Sequence, residues 1–154
     1  MKKAILFDLD GTLTESGIGI TKSVQQALER MGKPEPDLDK LRVFVGPPLK
    51  EQFMKYAGFT ADEAEQAIKL YRERYTAVGL FENAVYDGIE DMLKALKDAG
   101  KRIVLATSKP EKFALIILEH FSLIKYFDFV AGSDSSSSLS AGITFANGVP
   151  KFDA

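Results

Sequence analysis

Lys3-Ala4-Ile5-Leu6-Phe7-Asp8-Leu9-Asp10-Gly11-Thr12-Leu13 is the stretch from which the fold is read. Lys3 to Phe7 is a short apolar run and predicts a buried strand. Asp8 then stands where the strand ends, and Asp10 stands two residues on, in a loop that Gly11 allows to turn sharply. Asp and Gly together often do no more than make a turn. Two carboxylates converging at the end of a buried strand are a different matter. They repel each other, and burial disfavours their charge. A cation between them, or a nucleophilic role for one of them, offsets that cost.

Outward from this stretch the pattern is helical. Gly17-Ile18-Gly19-Ile20 leads into a helix over Thr21 to Met31, stopped by Gly32 and Pro34. Leu41 to Val45 is short and apolar, and Gly46-Pro47-Pro48 breaks it. Pro48 fits the first turn of a helix through Leu49, Phe53 and Met54. Thr60-Ala61-Asp62-Glu63 has capping-box spacing and opens a long helix with Ala64, Ala67, Ile68 and Tyr71 on one face. The pattern then changes. Asp87-Gly88-Ile89-Glu90 carries a similar cap, followed by Met92, Leu93 and Leu96 at helical spacing and a stop at Gly100. Arg102 to Thr107 predicts a second buried strand. Pro110 opens a helix with Phe113, Ile116, Ile117 and His120 on one face, and Phe127 to Ala131 predicts a third strand. Strand, helix, strand, helix, strand implies a parallel α/β sheet. Residues 1–16 and 83–134 are expected to form a Rossmann-like core, residues 17–82 an inserted helical cap, and residues 135–154 a Ser- and Gly-rich tail.

In an open parallel sheet, ligands bind beyond the carboxyl ends of the strands. Asp8 and Asp10 end the first strand; Thr107 and Ser108 end the second. Lys109-Pro110 starts a helix whose N–H groups and positive dipole end suit a phosphate. Helix capping alone would explain Thr107-Ser108 if the neighbouring acidic pair were absent. Together they describe a metal-assisted phosphate site with a nucleophilic carboxylate.

The string of an apolar strand followed by Asp8-Leu9-Asp10-Gly11-Thr12-Leu13 resembles the first motif of the haloacid dehalogenase-like phosphohydrolases. Leu105-Ala106-Thr107-Ser108-Lys109-Pro110 is similar to their second motif. Gly46-Pro47-Pro48-Leu49, Glu82 to Ile89, Ile116 to Phe121 and Tyr126 to Ser133 resemble the phosphoglycolate phosphatase-like branch. The resemblance implies that Asp8 attacks phosphorus and forms an aspartyl-phosphate. It implies that Asp10 protonates the leaving oxygen and later deprotonates water. Mg²⁺ is implied at the Asp8 carboxylate and the Asp10 backbone carbonyl. Leu9, Thr107, Ser108 and Lys109 are the implied phosphate-binding residues; preorganised donors of this kind contribute about 3 kcal/mol each. A small phosphate monoester of the phosphoglycolate type is the implied substrate, with a nucleoside monophosphate as the alternative. Arg42 and Lys50 are candidates to meet a substrate anion from the cap, and Phe44 and Phe53 to wall a pocket. His120, the only histidine, reads as a packed or rim residue.

Two further family motifs, a phosphate-holding lysine and an acidic loop after a fourth strand, find no match. Lys151 and Asp153 stand beyond Ser135-Ser136-Ser137-Ser138 and lack the expected setting. A truncated or frameshifted chain with little turnover is therefore a further expectation. So is a first strand left at the edge of the sheet, open to self-association. The bulk properties agree with a globular enzyme. With 154 residues the chain suits one domain with an insertion, and a net charge of −2 without a basic block gives no reason to expect nucleic acid. There is no cysteine, hence no disulfide and no thiolate chemistry. No apolar run is long enough for a membrane span, and Met1-Lys2-Lys3 enters a strand at once, which predicts a cytoplasmic protein.

Overall fold

The computed structural model describes residues 4–134 and the strand segments 143–146 and 149–152. The chain divides into two compact units, Met1–Glu15 with Val85–Ala154, and Ser16–Ala84.

The first unit is built on a parallel sheet. Its strands are β1 (Ala4–Phe7), β4 (Arg102–Ala106) and β5 (Phe129–Ala131), in the order β1-β4-β5. Ala4 to Phe7 lie opposite Arg102 to Leu105, and Val104 to Ala106 lie opposite Phe129 to Ala131. The central strand β4 is covered: Ile103 and Leu105 are fully buried. Helix α4 (Ile89–Asp98) packs on β4 and α5 (Glu111–His120) on β5. Leu93, Ile117, Leu118 and Leu123 complete this core, each stabilising the fold by about 2 kcal/mol when fully buried. The first strand departs from expectation. It is not buried; Ala4 and Leu6 are exposed and Ile5 and Phe7 half-buried, because β1 has a neighbour on one side only among the described residues.

Two other expectations fail in this unit. Asp87 does not cap α4: the chain enters through Gly88 in the left-handed conformation (φ 82°), and no side chain caps the helix. The buried face of α5 is Phe113, Ala114, Ile117 and Leu118, whereas Ile116 and His120 are exposed.

The chain leaves this unit through β2 (Thr14–Glu15) and returns through β3 (Ala84–Val85), which form a two-stranded sheet. The second unit holds α1 (Gly17–Arg30), α2 (Leu49–Ala57) and α3 (Ala61–Ala77), with α3 packed against both others. Helix α1 begins four residues before the expected Thr21. Its glycine-rich start is required by packing: a Cβ on Gly19 would lie 2.0 Å from the carbonyl oxygen of Gly79. Leu38–Phe44 is a 3₁₀ helix. Leu41 and Phe44 are three residues apart and both buried, the spacing at which a 3₁₀ turn puts two side chains on one face. Pro48 is the N-cap of α2 rather than part of its first turn. Helix α3 has its full capping box, with Thr60 Oγ1 accepting from Glu63 N–H (3.2 Å) and Glu63 Oε1 accepting from Thr60 N–H (3.1 Å).

Beyond Asp134, β6 (Ile143–Ala146) and β7 (Val149–Phe152) pair as an antiparallel hairpin. The other residues of the expected tail, the serine run and Asp153 among them, lie outside the described residues. No helix among the described residues is long and apolar enough to cross a membrane.

Candidate active site

The loop after β1 is wound around one carbonyl. Leu9 C=O accepts from the N–H groups of Thr12 (3.2 Å), Leu13 (2.9 Å) and Thr14 (3.2 Å), and Gly11 N–H donates to Thr14 C=O (2.9 Å). Gly11 takes a positive φ of 76°, which the tight winding requires. Leu9 and Leu13 are fully buried and anchor the loop from below. The alternation of apolar and acidic residues in Leu9-Asp10 is therefore mechanical: leucine goes into the core, and the acids on either side go to the rim.

Asp8 keeps solvent access at this rim. Its Oδ1 accepts from Leu9 N–H at 2.7 Å. The protein packed around the carboxyl pushes its pKa above the ordinary aspartate value, and the neighbouring charge of Asp10 adds to this. The Leu9 N–H, the Thr107 hydroxyl and the Lys109 ammonium act in the opposite direction.

Asp10 is deeper. Its Oδ2 lies 3.2 Å from Lys109 Nζ, and the two side chains are only 8% and 7% exposed. Its Oδ1 is buried with no hydrogen-bond partner. Thr107 is buried at the end of β4, where its N–H donates to Ala131 C=O (3.0 Å). Its hydroxyl oxygen accepts from Lys109 N–H (3.2 Å) and its hydroxyl interacts with the Asp8 carboxylate. Ser108 is half-buried. The six residues singled out in the sequence, Asp8, Leu9, Asp10, Thr107, Ser108 and Lys109, thus lie in the first unit, at the carboxyl ends of two neighbouring strands.

The start of α5 differs from expectation. Pro110 has no N–H, and Glu111 N–H donates to Asp134 Oδ1 (2.9 Å), so the first donor of this helix is taken by a protein carboxylate. Asp134 escaped the sequence reading. Its only signal was a Gly-Ser-Asp turn directly after a strand. Gly132 in the same turn packs against the 109–111 segment, and Ser133 N–H donates to Lys109 C=O (3.1 Å).

The cap candidates resolve differently. Phe44 and Phe53 are core residues of the second unit, with ring centroids 4.9 Å apart. Lys50 is paired with Glu65 (2.9 Å), and Arg42 is exposed. The His120 ring rests edge-on against Phe121.

Two carboxylates and one ammonium leave the rim with a net negative charge. Among the described residues no group of three or more His, Cys, Asp or Glu is placed to hold a metal. The Asp8 carboxylate and the Asp10 backbone carbonyl nonetheless offer hard oxygen donors in the loop after β1. Such a set fits Mg²⁺, which takes few protein carboxylates and completes its shell with water and substrate phosphate.

The chain is 50% identical over 130 residues to a 5'-nucleotidase of Pseudomonas aeruginosa, covering 84% of this chain and 59% of that protein. It is 42% identical to the tyrosine-protein kinase PtkA of Mycobacterium tuberculosis, covering 87% of this chain and 45% of the relative. With phosphoglycolate phosphatase 1 of Pseudomonas aeruginosa it shares 31% identity, covering 88% of this chain and 52% of the relative. The crystal structure of a predicted phosphatase from Clostridium acetobutylicum superposes with a TM-score of 0.84 at 52% identity, covering 86% of this chain and 61% of that one. The chain therefore spans about half to three-fifths of the length of these relatives. A family model described as haloacid dehalogenase-like hydrolase matches residues 5–139, and the chain belongs to that family.

Proposed function

We propose that this chain carries the phosphoryl-transfer core of a phosphatase that hydrolyses a small phosphate monoester. The observation that carries the reading is the rim itself: Asp8, Asp10, Thr107 and Lys109 converge at the ends of two parallel strands. In the first step an Asp8 carboxylate oxygen attacks phosphorus and the bond to the leaving oxygen breaks. Asp10 delivers a proton to that oxygen. In the second step Asp10 takes a proton from water, which attacks the aspartyl-phosphate and restores the Asp8 carboxylate with release of phosphate. Thr107 holds Asp8 in place, and the Leu9 and Ser108 N–H groups are the candidate donors to the phosphoryl oxygens. Asp8 and Asp10 would hold Mg²⁺, which supplies positive charge where an anionic nucleophile meets an anionic ester.

A nucleoside monophosphate is the second reading of the substrate, favoured by the 50% identity to a 5'-nucleotidase against 31% to a phosphoglycolate phosphatase. The test is release of inorganic phosphate from p-nitrophenyl phosphate with Mg²⁺, using Asp8→Asn as control. The expected result is turnover by the parent and a loss of at least about 1,000-fold in the variant, as for removal of an enzymic nucleophile. Equal activity in both proteins sinks Asp8 as nucleophile. A subsequent panel of 2-phosphoglycolate and nucleoside monophosphates ranks the substrates by kcat/KM.

A further inference from the structure

Lys109, a candidate phosphate-binding residue at the start of a helix, is not solvated in this structure. Its ammonium lies 3.2 Å from Asp10 Oδ2, and its side chain is 7% exposed. Its backbone is gripped from both sides, with its N–H on Thr107 Oγ1 (3.2 Å) and its C=O receiving Ser133 N–H (3.1 Å). Gly132 presses on the same carbonyl, where even a Cβ would come within 2.6 Å. The backbone grip fixes where the side chain starts, and burial against Asp10 fixes where its ammonium ends.

Asp10 has the complementary asymmetry. One carboxylate oxygen faces Lys109; the other, Oδ1, is buried without a partner. Rotation of a carboxylate about its last torsion is soft. An ammonium bound to one oxygen stops it, and leaves the second oxygen pointing where it is not satisfied by protein.

We infer that Lys109 is a positioning residue for Asp10: it pins Oδ2 and so reserves Oδ1 for the proton passed to the leaving oxygen and taken from water. The inference rests on the reading of Asp10 as the acid and base of a phosphatase. It gives Lys109 a role distinct from phosphate binding, and the two roles separate kinetically. A residue that positions a general acid matters when the leaving group is basic. A residue that binds phosphate matters equally for every ester.

The experiment compares phenyl phosphate, whose leaving oxygen needs a proton, with p-nitrophenyl phosphate, whose leaving group departs without one. In Lys109→Met, kcat/KM, which covers the steps up to the aspartyl-phosphate, is expected to fall about 100-fold on phenyl phosphate, the scale of general acid catalysis, against about fivefold or less on p-nitrophenyl phosphate. The later attack of water is shared by both esters, so kcat is expected to fall on both. Equal losses of kcat/KM on the two esters overturn the inference in favour of phosphate binding. Lys109→Arg keeps the cation and guards against a variant that fails to fold; it is expected to recover part of the phenyl phosphate rate. A second measurement needs no turnover. The buried ammonium of Lys109 is expected to give a slowly exchanging ¹⁵N–¹H signal that Asp10→Asn shifts or abolishes and Asp8→Asn leaves in place. A Lys109 signal indifferent to Asp10→Asn overturns the pairing. If the parent hydrolyses neither ester, the phosphatase reading fails, and the ammonium signal still decides whether Lys109 holds Asp10.

Discussion

Gly132 stands where the end of β5 meets the turn into α5. A Cβ there would lie 2.3 Å from the Glu111 nitrogen, 2.6 Å from its Cα and 2.6 Å from the Lys109 carbonyl oxygen. All three are backbone atoms, so none can swing aside. Gly132→Ala is therefore expected to destabilise the protein by about 2 kcal/mol, in the range of an overpacked core. Urea denaturation checks it: a midpoint equal to the parent's would mean that the turn yields freely. The same variant disturbs the grip on Lys109 and hence the Asp10 pair. None of this was legible from composition or spacing. The Asp8–Asp10 loop could be read because its strand, its glycine and its leucine anchors are contiguous. The burial of Lys109 could not, because its partner Asp10 is remote in sequence and only the parallel pairing of β1 with β4 brings them together.

Helices α1 and α3 of the second unit are tied through one carboxylate. Glu82 Oε1 accepts from Arg74 Nη1 (2.7 Å), and its Oε2 lies 3.8 Å from Lys22 Nζ. Arg74 also reaches Ser23 Oγ at 3.4 Å. The Arg74 hydrogen bond holds the Glu82 carboxyl below its ordinary value of 4.5, against an opposing push from burial; the charges of Arg74 and Lys22 reinforce the lowering. A carboxyl whose folded pKa is depressed contributes its stability above the unfolded pKa and loses it as pH falls through the folded one. Glu82→Gln is therefore expected to cost about 1 kcal/mol at neutral pH, the scale of a partly exposed pair. The gap in urea midpoint between parent and variant should hold from neutral pH downward and begin to close below about 4.5. A gap that ignores pH would deny the ion pair its role. Local signals found the elements here, as the Thr60–Glu63 box shows for α3. They missed the early start of α1, because Gly17 to Gly19 reads as a loop until Gly79 is known to press on it. They also missed the 3₁₀ helix at Leu38–Phe44, where a short apolar run carries a period of three rather than two.

Taken whole, the chain has an α/β architecture that was legible because its apolar runs are well separated by helical spacing and glycine stops. The sheet order β1-β4-β5 leaves the strand that bears Asp8 at an edge among the described residues. That placement also corrects the expected burial of β1. Leu6 is 36% exposed, and no charge interrupts Ala4 to Phe7. An edge of this kind presents unpaired N–H and C=O groups to any other strand, and proteins ordinarily blunt such edges with charge, proline or a bulge. We propose that β1 carries self-association of this chain. Sedimentation velocity across micromolar to near-millimolar concentration, where exposed edges associate, is expected to show the parent growing in mass. Leu6→Lys should suppress that growth, since it puts a charge on each of the two paired strands, while leaving the far-ultraviolet circular dichroism unchanged because Leu6 already meets solvent. Association that persists undiminished in Leu6→Lys would move the contact away from β1. A parent that stays monomeric throughout would mean the edge pairs with nothing, and the cost of its exposed groups would then be met by water alone.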